Sequence, residues 1–231
     1  MAIAFLSSAS RAVTSSSPST ITVHDAPAAS LLILGTRIGS SVLNPTVSTV
    51  TDSDGNVWKF ARRSDVSTGT APQQHAEIWY AANASGVSTS LSVVVSWLGH
   101  ASSLITDNHV AVFSGADNTS PLDQTSANRF AAASTIFAGD LTPTVDGCVL
   151  FEMIGVDTNA AMTVGAGYTK MSTRPHSGSQ YVIQGTAATS SGTTTWASPR
   201  AAAAVMAAFR PPSGPADPST GVFSFMLLGF Q

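Results

Sequence analysis

The chain has 231 residues, of which 43 % are apolar and only 10 % charged, with a formal net charge of −3. That length accommodates one large β domain with a core of its own, and the charge balance excludes the clustered Lys and Arg of a nucleic-acid footprint. Only two lysines (Lys59, Lys170) and two glutamates (Glu77, Glu152) occur, which argues against solvated helices, and a single cysteine, Cys148, leaves no intrachain disulfide.

The first apolar run, Met1–Leu6, lacks a basic flank and is shorter than the ~7 residues of a signal sequence core. No stretch approaches the ~18 apolar residues of a membrane span. The expectation is a protein made in a cytoplasm without an export signal. Residues 1–18 read as an N-terminal arm or edge segment ending in Ser15-Ser16-Ser17-Pro18.

From Ser19 onward, short alternating or continuous apolar runs recur between turn signals. Thr20–His24 alternates, with Ile21 and Val23 on one face. Leu31–Leu34 is a continuous run ending at Gly35, as expected of a strand buried on both faces. Thr46–Val50 and Val57–Ala61 flank Asp52-Ser53-Asp54-Gly55-Asn56, where Asp-Gly signals a hairpin turn. Further strands fall at Ala76–Ala81, Ser90–Trp97, His109–Phe113, Cys148–Val156, Gln180–Gln184, Thr193–Trp196 and Ala202–Phe209. The Ala-rich last run has high helix propensity, but Pro199 before it and Pro211-Pro212 after it favour a strand. Residues 121–135 read as a long connection with room for one helical turn. The fold class is all-β: a two-sheet antiparallel β-sandwich, jelly-roll-like, of about eleven strands over residues 19–210.

After Arg210 the character changes. Residues 211–218, Pro211-Pro212-Ser213-Gly214-Pro215-Ala216-Asp217-Pro218, hold four prolines in eight residues, an extended linker with few ladder donors. Gly221–Gln231 is then the most apolar segment of the chain. Val222, Phe223, Phe225, Met226, Leu227, Leu228 and Phe230 are the candidate partner-binding residues. Such a segment is an aggregation hazard unless buried. It either folds back as a last strand, or adds to a neighbouring subunit, or touches a membrane.

Motifs for chemistry are absent from the sequence. The five histidines (His24, His75, His100, His109, His176) lack metal-ligand spacing, and neither a nucleophile elbow nor a phosphate loop occurs. Glu77 and Glu152 form a glycosidase pair only if an open cleft brings them about 5–9.5 Å apart; within strands they suit structural acceptors better. Asp52–Asn56 resembles the start of a calcium loop but lacks its distal Glu. Trp58, Trp79, Tyr80, Trp97 and Trp196 are candidates for a sugar platform, or for cores. No catalytic residue, metal or cofactor is expected.

One ordered set of segments carries a resemblance: Val50–Trp58, Ile78–Asn83, Val110–Asp117, Ser120–Asp123, Gly165–Thr169 and the Ala-rich strand to Phe209. The set resembles β-sandwich domains of tailed-phage structural proteins, also found in some bacterial surface proteins. The resemblance implies a capsid decoration or cement protein, or a carbohydrate-binding or adhesin module of a phage tail or fibre, and brings no catalytic residues. The expected partners are the major capsid protein or other virion proteins and further copies of the chain, a trimer being favoured, with no nucleic acid and no membrane; the expected location is the virion.

Overall fold

The computed structural model describes residues 2–14, 17–40, 45–64, 73–86, 89–98, 105–157, 161–174 and 176–213. Among them are thirteen strands and no helix. The first six are β1 (Ala4–Thr14), β2 (Ser19–His24), β3 (Leu31–Ser40), β4 (Thr46–Asp52), β5 (Lys59–Arg63) and β6 (Gln73–Ala81). β7 (Ser90–Leu98), β8 (Ile105–Ser114), β9 (Leu122–Ile136) and β10 (Val149–Val156) follow. β11 (Thr169–Arg174), β12 (Ser177–Ile183) and β13 (Thr194–Phe209) complete the set.

The strands form three antiparallel sheets where two were expected. The central sheet has the order β1-β8-β3-β6-β5, a small sheet the order β2-β7-β4, and the third sheet the order β11-β12-β10-β13-β9. The central sheet is packed on both faces. Leu32, Leu34, Ile38, Val110 and Val112 meet Val23, Leu91, Val93 and Trp97 of the small sheet. On the opposite face Leu31, Ile33, Ile78 and Phe113 meet Phe151, Met153, Val205 and Phe209 of the third sheet. Burial on both faces explains the continuous apolar runs, since alternation survives only where one face meets water. The outer face of the third sheet carries another cluster, in which Leu150, Ile154, Ala204 and Met206 lie beneath Ile136, Leu141, Met162 and Trp196.

Close approach of the layers depends on small residues. A side chain at Gly35 would meet the Phe151 ring at 2.9 Å, and Ala202–Ala204, Ala207 and Ala208 of β13 are fully buried. The leader contributes β1, paired along its length with β8. Phe5 stacks on Tyr181 at 5.2 Å and meets Phe113 edge-on at 5.6 Å. Aromatic pairs of this kind contribute roughly 0.5–1.5 kcal/mol each beyond burial, so Phe5 holds β1 both to β8 and, through Tyr181, to the third sheet.

The strand count of about eleven is corrected to thirteen. The segment read as an arm or edge contains the edge strand β1; β9 and β11 were not foreseen, and two foreseen strands are one, β13. Residues 122–136 are a fifteen-residue edge strand where a connection was expected; their Ser, Thr, Asn and Ala give no alternation because most positions are half-exposed. The Asp52–Asn56 turn forms with Gly55 at φ 71°, yet β4 and β5 do not pair: β4 lies in the small sheet and β5 in the central one. The turn carries the chain from one layer to the next.

Candidate functional site

The two glutamates are not brought together. Glu77 stands on the face of the central sheet that meets the small sheet; its Oε2 accepts the Trp79 indole N–H at 2.9 Å and its Oε1 the Val47 amide at 3.3 Å. Arg63 lies 3.8 Å away. Burial raises this carboxyl above the usual range, against the pull of Trp79, Arg63 and Val47. Glu152 projects from the far face of the third sheet, into the outer cluster with Leu150 and Ile154. The central sheet, the inner core and the third sheet all intervene, where one layer spacing alone is about 10 Å.

Glu152 is the hub of a buried network. Its carboxylate accepts the Ala138 amide at 3.1 Å and the Gln180 side-chain amide. Gln180 also donates to Gly192 O at 2.8 Å and Thr194 Oγ1 at 3.2 Å, and accepts from the Gly165 amide at 3.1 Å. Burial holds the Glu152 carboxyl well above the ordinary carboxylate range. The network ties β10, β12 and β13 to the two loops that line a surface cleft of about 400 Å³. Thr163, Gly165, Tyr168, Ser190, Ser191 and Thr193 form its walls. Tyr168 shares a 2.7 Å hydrogen bond with Ser190, and burial pushes its phenol up to about 12.

Gly192 shows how tightly this network is set. Its φ is +64°, and a Cβ there would land on the Glu152 carboxylate. Gly55, with φ +71°, has nothing within 4 Å of its virtual Cβ. Gly55→Ala therefore tests backbone strain alone, on the order of 1 kcal/mol, whereas Gly192→Ala adds displacement of a fixed carboxylate and is expected to cost roughly 2–4 kcal/mol. Urea midpoints at unchanged m-value measure both.

A second polar cluster lies between the central and third sheets. Arg37, only 1 % exposed, donates Nε to Gln74 Oε1 at 2.8 Å, Nη1 to Ile105 O at 3.0 Å and Nη2 to Val156 O at 3.0 Å. Gly39 and Gly155 leave room for it: a Cβ at either would overlap its side chain. His109 bridges Ser179 through Nδ1 at 2.8 Å and Ser177 through Nε2 at 2.9 Å. Burial lowers its imidazole to about 3, with Arg174 adding to the effect. Asp107 is fully buried; desolvation raises its carboxyl, opposed by Arg37 and Ser177. The cluster contains Ser, His and Asp, and Ser177, Ser179, His109 and Asp107 are each 1 % exposed or less. Its placement makes it a pin between layers.

The remaining candidates resolve locally. Asp52 spends both carboxylate oxygens on donors: Oδ1 accepts the Asp54 and Asn56 amides at 3.0 and 3.1 Å, and Oδ2 the Asn56 side chain at 3.1 Å and the Trp58 indole at 2.7 Å. No grouping of His, Cys, Asp and Glu that could hold a metal occurs among the described residues. Trp97 and Trp196 are buried in different cores, and Tyr80 packs edge-on against Phe209 at 5.4 Å. Trp58 and Trp79 are half-buried against the core of the small sheet. Cys148 is buried, its thiol pushed up to about 11, chiefly by desolvation.

Val222, Phe223, Phe225, Met226, Leu227, Leu228 and Phe230 lie outside the described residues. The point from which they depart is defined. The Arg210 amide donates to Pro121 O at 2.8 Å, its Nε to Ser120 O at 2.9 Å, and its carbonyl accepts the Asp117 amide at 3.0 Å. Pro211–Ser213 then border a groove with Val145 and Asp146. Arg210 thus stands beside the start of β9. Comparison with protein families, with curated proteins and with solved structures finds no match.

Proposed function

We propose that the protein is a structural subunit of a virion, a decoration or cement protein that binds across major capsid subunits and stabilises the shell. The observation that carries this reading is the anchoring of Arg210 to Pro121, Ser120 and Asp117, directly before a sequence that is proline-rich and then strongly apolar. A charge-poor chain, with 10 % charged residues, supports close packing against neighbours. On this reading the stacked sheets are a β-sandwich of the jelly-roll-like kind that the resemblance implies, and copies assemble as trimers. Several modest contacts per trimer then act together, because binding of one arm raises the effective concentration of the next.

The test is co-sedimentation of the purified protein with shells assembled from the capsid protein encoded in the same genome. The expected result is binding at fixed stoichiometry and a higher temperature of shell disruption. Removal of residues 211–231 is expected to weaken association at least tenfold. A full-length protein that stays in the supernatant overturns the proposal.

A further inference from the structure

We infer that the free edge of β9 receives the apolar segment Val222–Phe230 of a second copy of the chain, as an added antiparallel strand. The inference deepens the arm reading above and rests on it.

β9 is the longest edge strand among the described residues, fifteen residues long, and its described pairing is to β13 alone. Long edges are normally blunted by charge, proline or a covering segment. Two of the other edges, β5 and β1, carry such devices. β5 holds Lys59, Arg62 and Arg63 in five residues. On β1, the Ser10 carbonyl is taken by the Arg174 guanidinium, and Arg11 donates to Thr20 O at 2.6 Å. β9 has only Asp123 and Arg129 among its fifteen residues, and Asp123 is occupied by the Thr144 amide at 2.7 Å. Beside this edge stands a half-exposed aromatic pair, Phe130 and Phe137, edge-on at 5.5 Å.

The segment and the edge match. From Leu122 to Phe130 the strand pairs with β13 with one irregularity, at the Phe209 end, before the bulges that follow Phe130. That stretch is as long as Val222–Phe230. In extended form the segment sets Phe223, Phe225 and Leu227 on one face and Val222, Met226, Leu228 and Phe230 on the other. Both faces are apolar, and most of Leu122–Phe130 beside them is half-buried, so an added strand would cover apolar surface of its own against the edge.

Strand direction favours a neighbour's segment. β13 runs antiparallel to β9 and ends level with Leu122. A tail descending from that exit onto its own β9 runs parallel to it, in a molecule whose described strand pairs are all antiparallel. To run antiparallel on its own β9, Val222 must start beside Phe130, about 26 Å down the strand at ~3.3 Å per residue, plus two strand spacings sideways of about 4.8 Å each. The thirteen steps from Phe209 to Val222 cover about 40 Å at ~3.1 Å per residue, so a tail pairing antiparallel with its own β9 has to run down the strand and reverse before it pairs. A neighbour's tail needs no such reversal, and antiparallel addition is the stronger pairing.

The test uses the full chain and cysteine trapping. Antiparallel addition with Val222 opposite Phe130 sets Ser224 opposite Asn128. One preparation carries Asn128→Cys and another Ser224→Cys; the buried Cys148 of the unaltered chain supplies the blank. Mixing the two under mild oxidation is expected to give a disulfide-linked pair of chains, and a single chain carrying both substitutions is expected to link mainly to other chains when concentrated. Native mass measurement of the full chain with Phe225→Asp and Leu227→Asp is expected to show monomer where the unaltered chain is oligomeric. Linkage confined to single doubly substituted chains, no linkage, or an oligomer untouched by the two aspartates overturns the inference. Trapping between chains without co-sedimentation on shells leaves the exchange standing and removes the cement role; co-sedimentation without trapping does the reverse.

Discussion

Arg37→Leu is expected to destabilise the fold by about 3–5 kcal/mol, the cost of removing one partner from a buried charged group. The guanidinium bonds to Gln74 and Ile105 within the central sheet and crosses to Val156 O in the third. Its loss removes the guanidinium donors from Gln74 Oε1, Ile105 O and Val156 O and strands the Asp107 carboxyl, which burial already pushes up and Arg37 helps to hold down. Burial lowers Arg37 itself only to about 10, so it is charged at neutral pH. Arg37→Lys keeps a charge but not the planar fork, and is expected to recover less than half of the loss. Arg37→Leu combined with Asp107→Asn removes the orphaned acid and is expected to regain about 1–2 kcal/mol over Arg37→Leu alone. Urea melts measure all three. If the leucine variant loses less than about 1 kcal/mol, the pin between layers is not what holds these sheets in register.

The same cluster marks where the sequence stops being informative. Apolar runs identify β3, β8 and β10, because a strand buried on both faces has no choice but to be apolar where it meets two cores. Arg37 interrupts the first of those strands, and as a lone arginine it looks like any solvated one. What makes it interior is the pair of glycines at 39 and 155, and these lie in different sheets, so that only the folded register sets them around one side chain. The Asp52–Asn56 turn is legible for a related reason and misleading for another. A positive φ at Gly55 and the acceptor set of Asp52 fix a tight turn, but a turn is indifferent to whether the strands it joins pair with each other. Glu77 and Glu152 are read correctly as strand residues with local donors. Their separation by whole layers follows only from topology. β9 was invisible because an edge strand of Ser, Thr, Ala and Asn needs neither alternation nor bulk; the same blandness that hid it leaves its edge open.

Acid is expected to expose the cost of burying His109. Its folded-state value of about 3 lies below the ordinary 6.5, so between those values the unfolded chain takes up a proton that the native protein refuses. Stability from this group is therefore complete above pH 6.5 and is lost as pH falls toward 3. Asp107, Glu77 and Glu152 act in the opposite sense. Their carboxyls are raised in the fold, so acidification from neutral pH relieves them. His75, lowered to about 4 mainly by burial, adds to the histidine side. A single stability profile therefore mixes both trends, and the difference between the unaltered protein and His109→Gln isolates one. The advantage of the unaltered protein over that variant is expected to shrink by about 2–3 kcal/mol between roughly pH 7.5 and pH 4.5. Arg37, Asp107, Arg174 and His176 all bear on this pocket and remain in both proteins, so their contributions largely cancel in the difference. Nitrogen chemical shifts of the His109 ring provide the direct measurement: a neutral ring at about pH 4.5 is required, and a midpoint near 6 would show that the packing of Ser177 and Ser179 does not keep protons from this core.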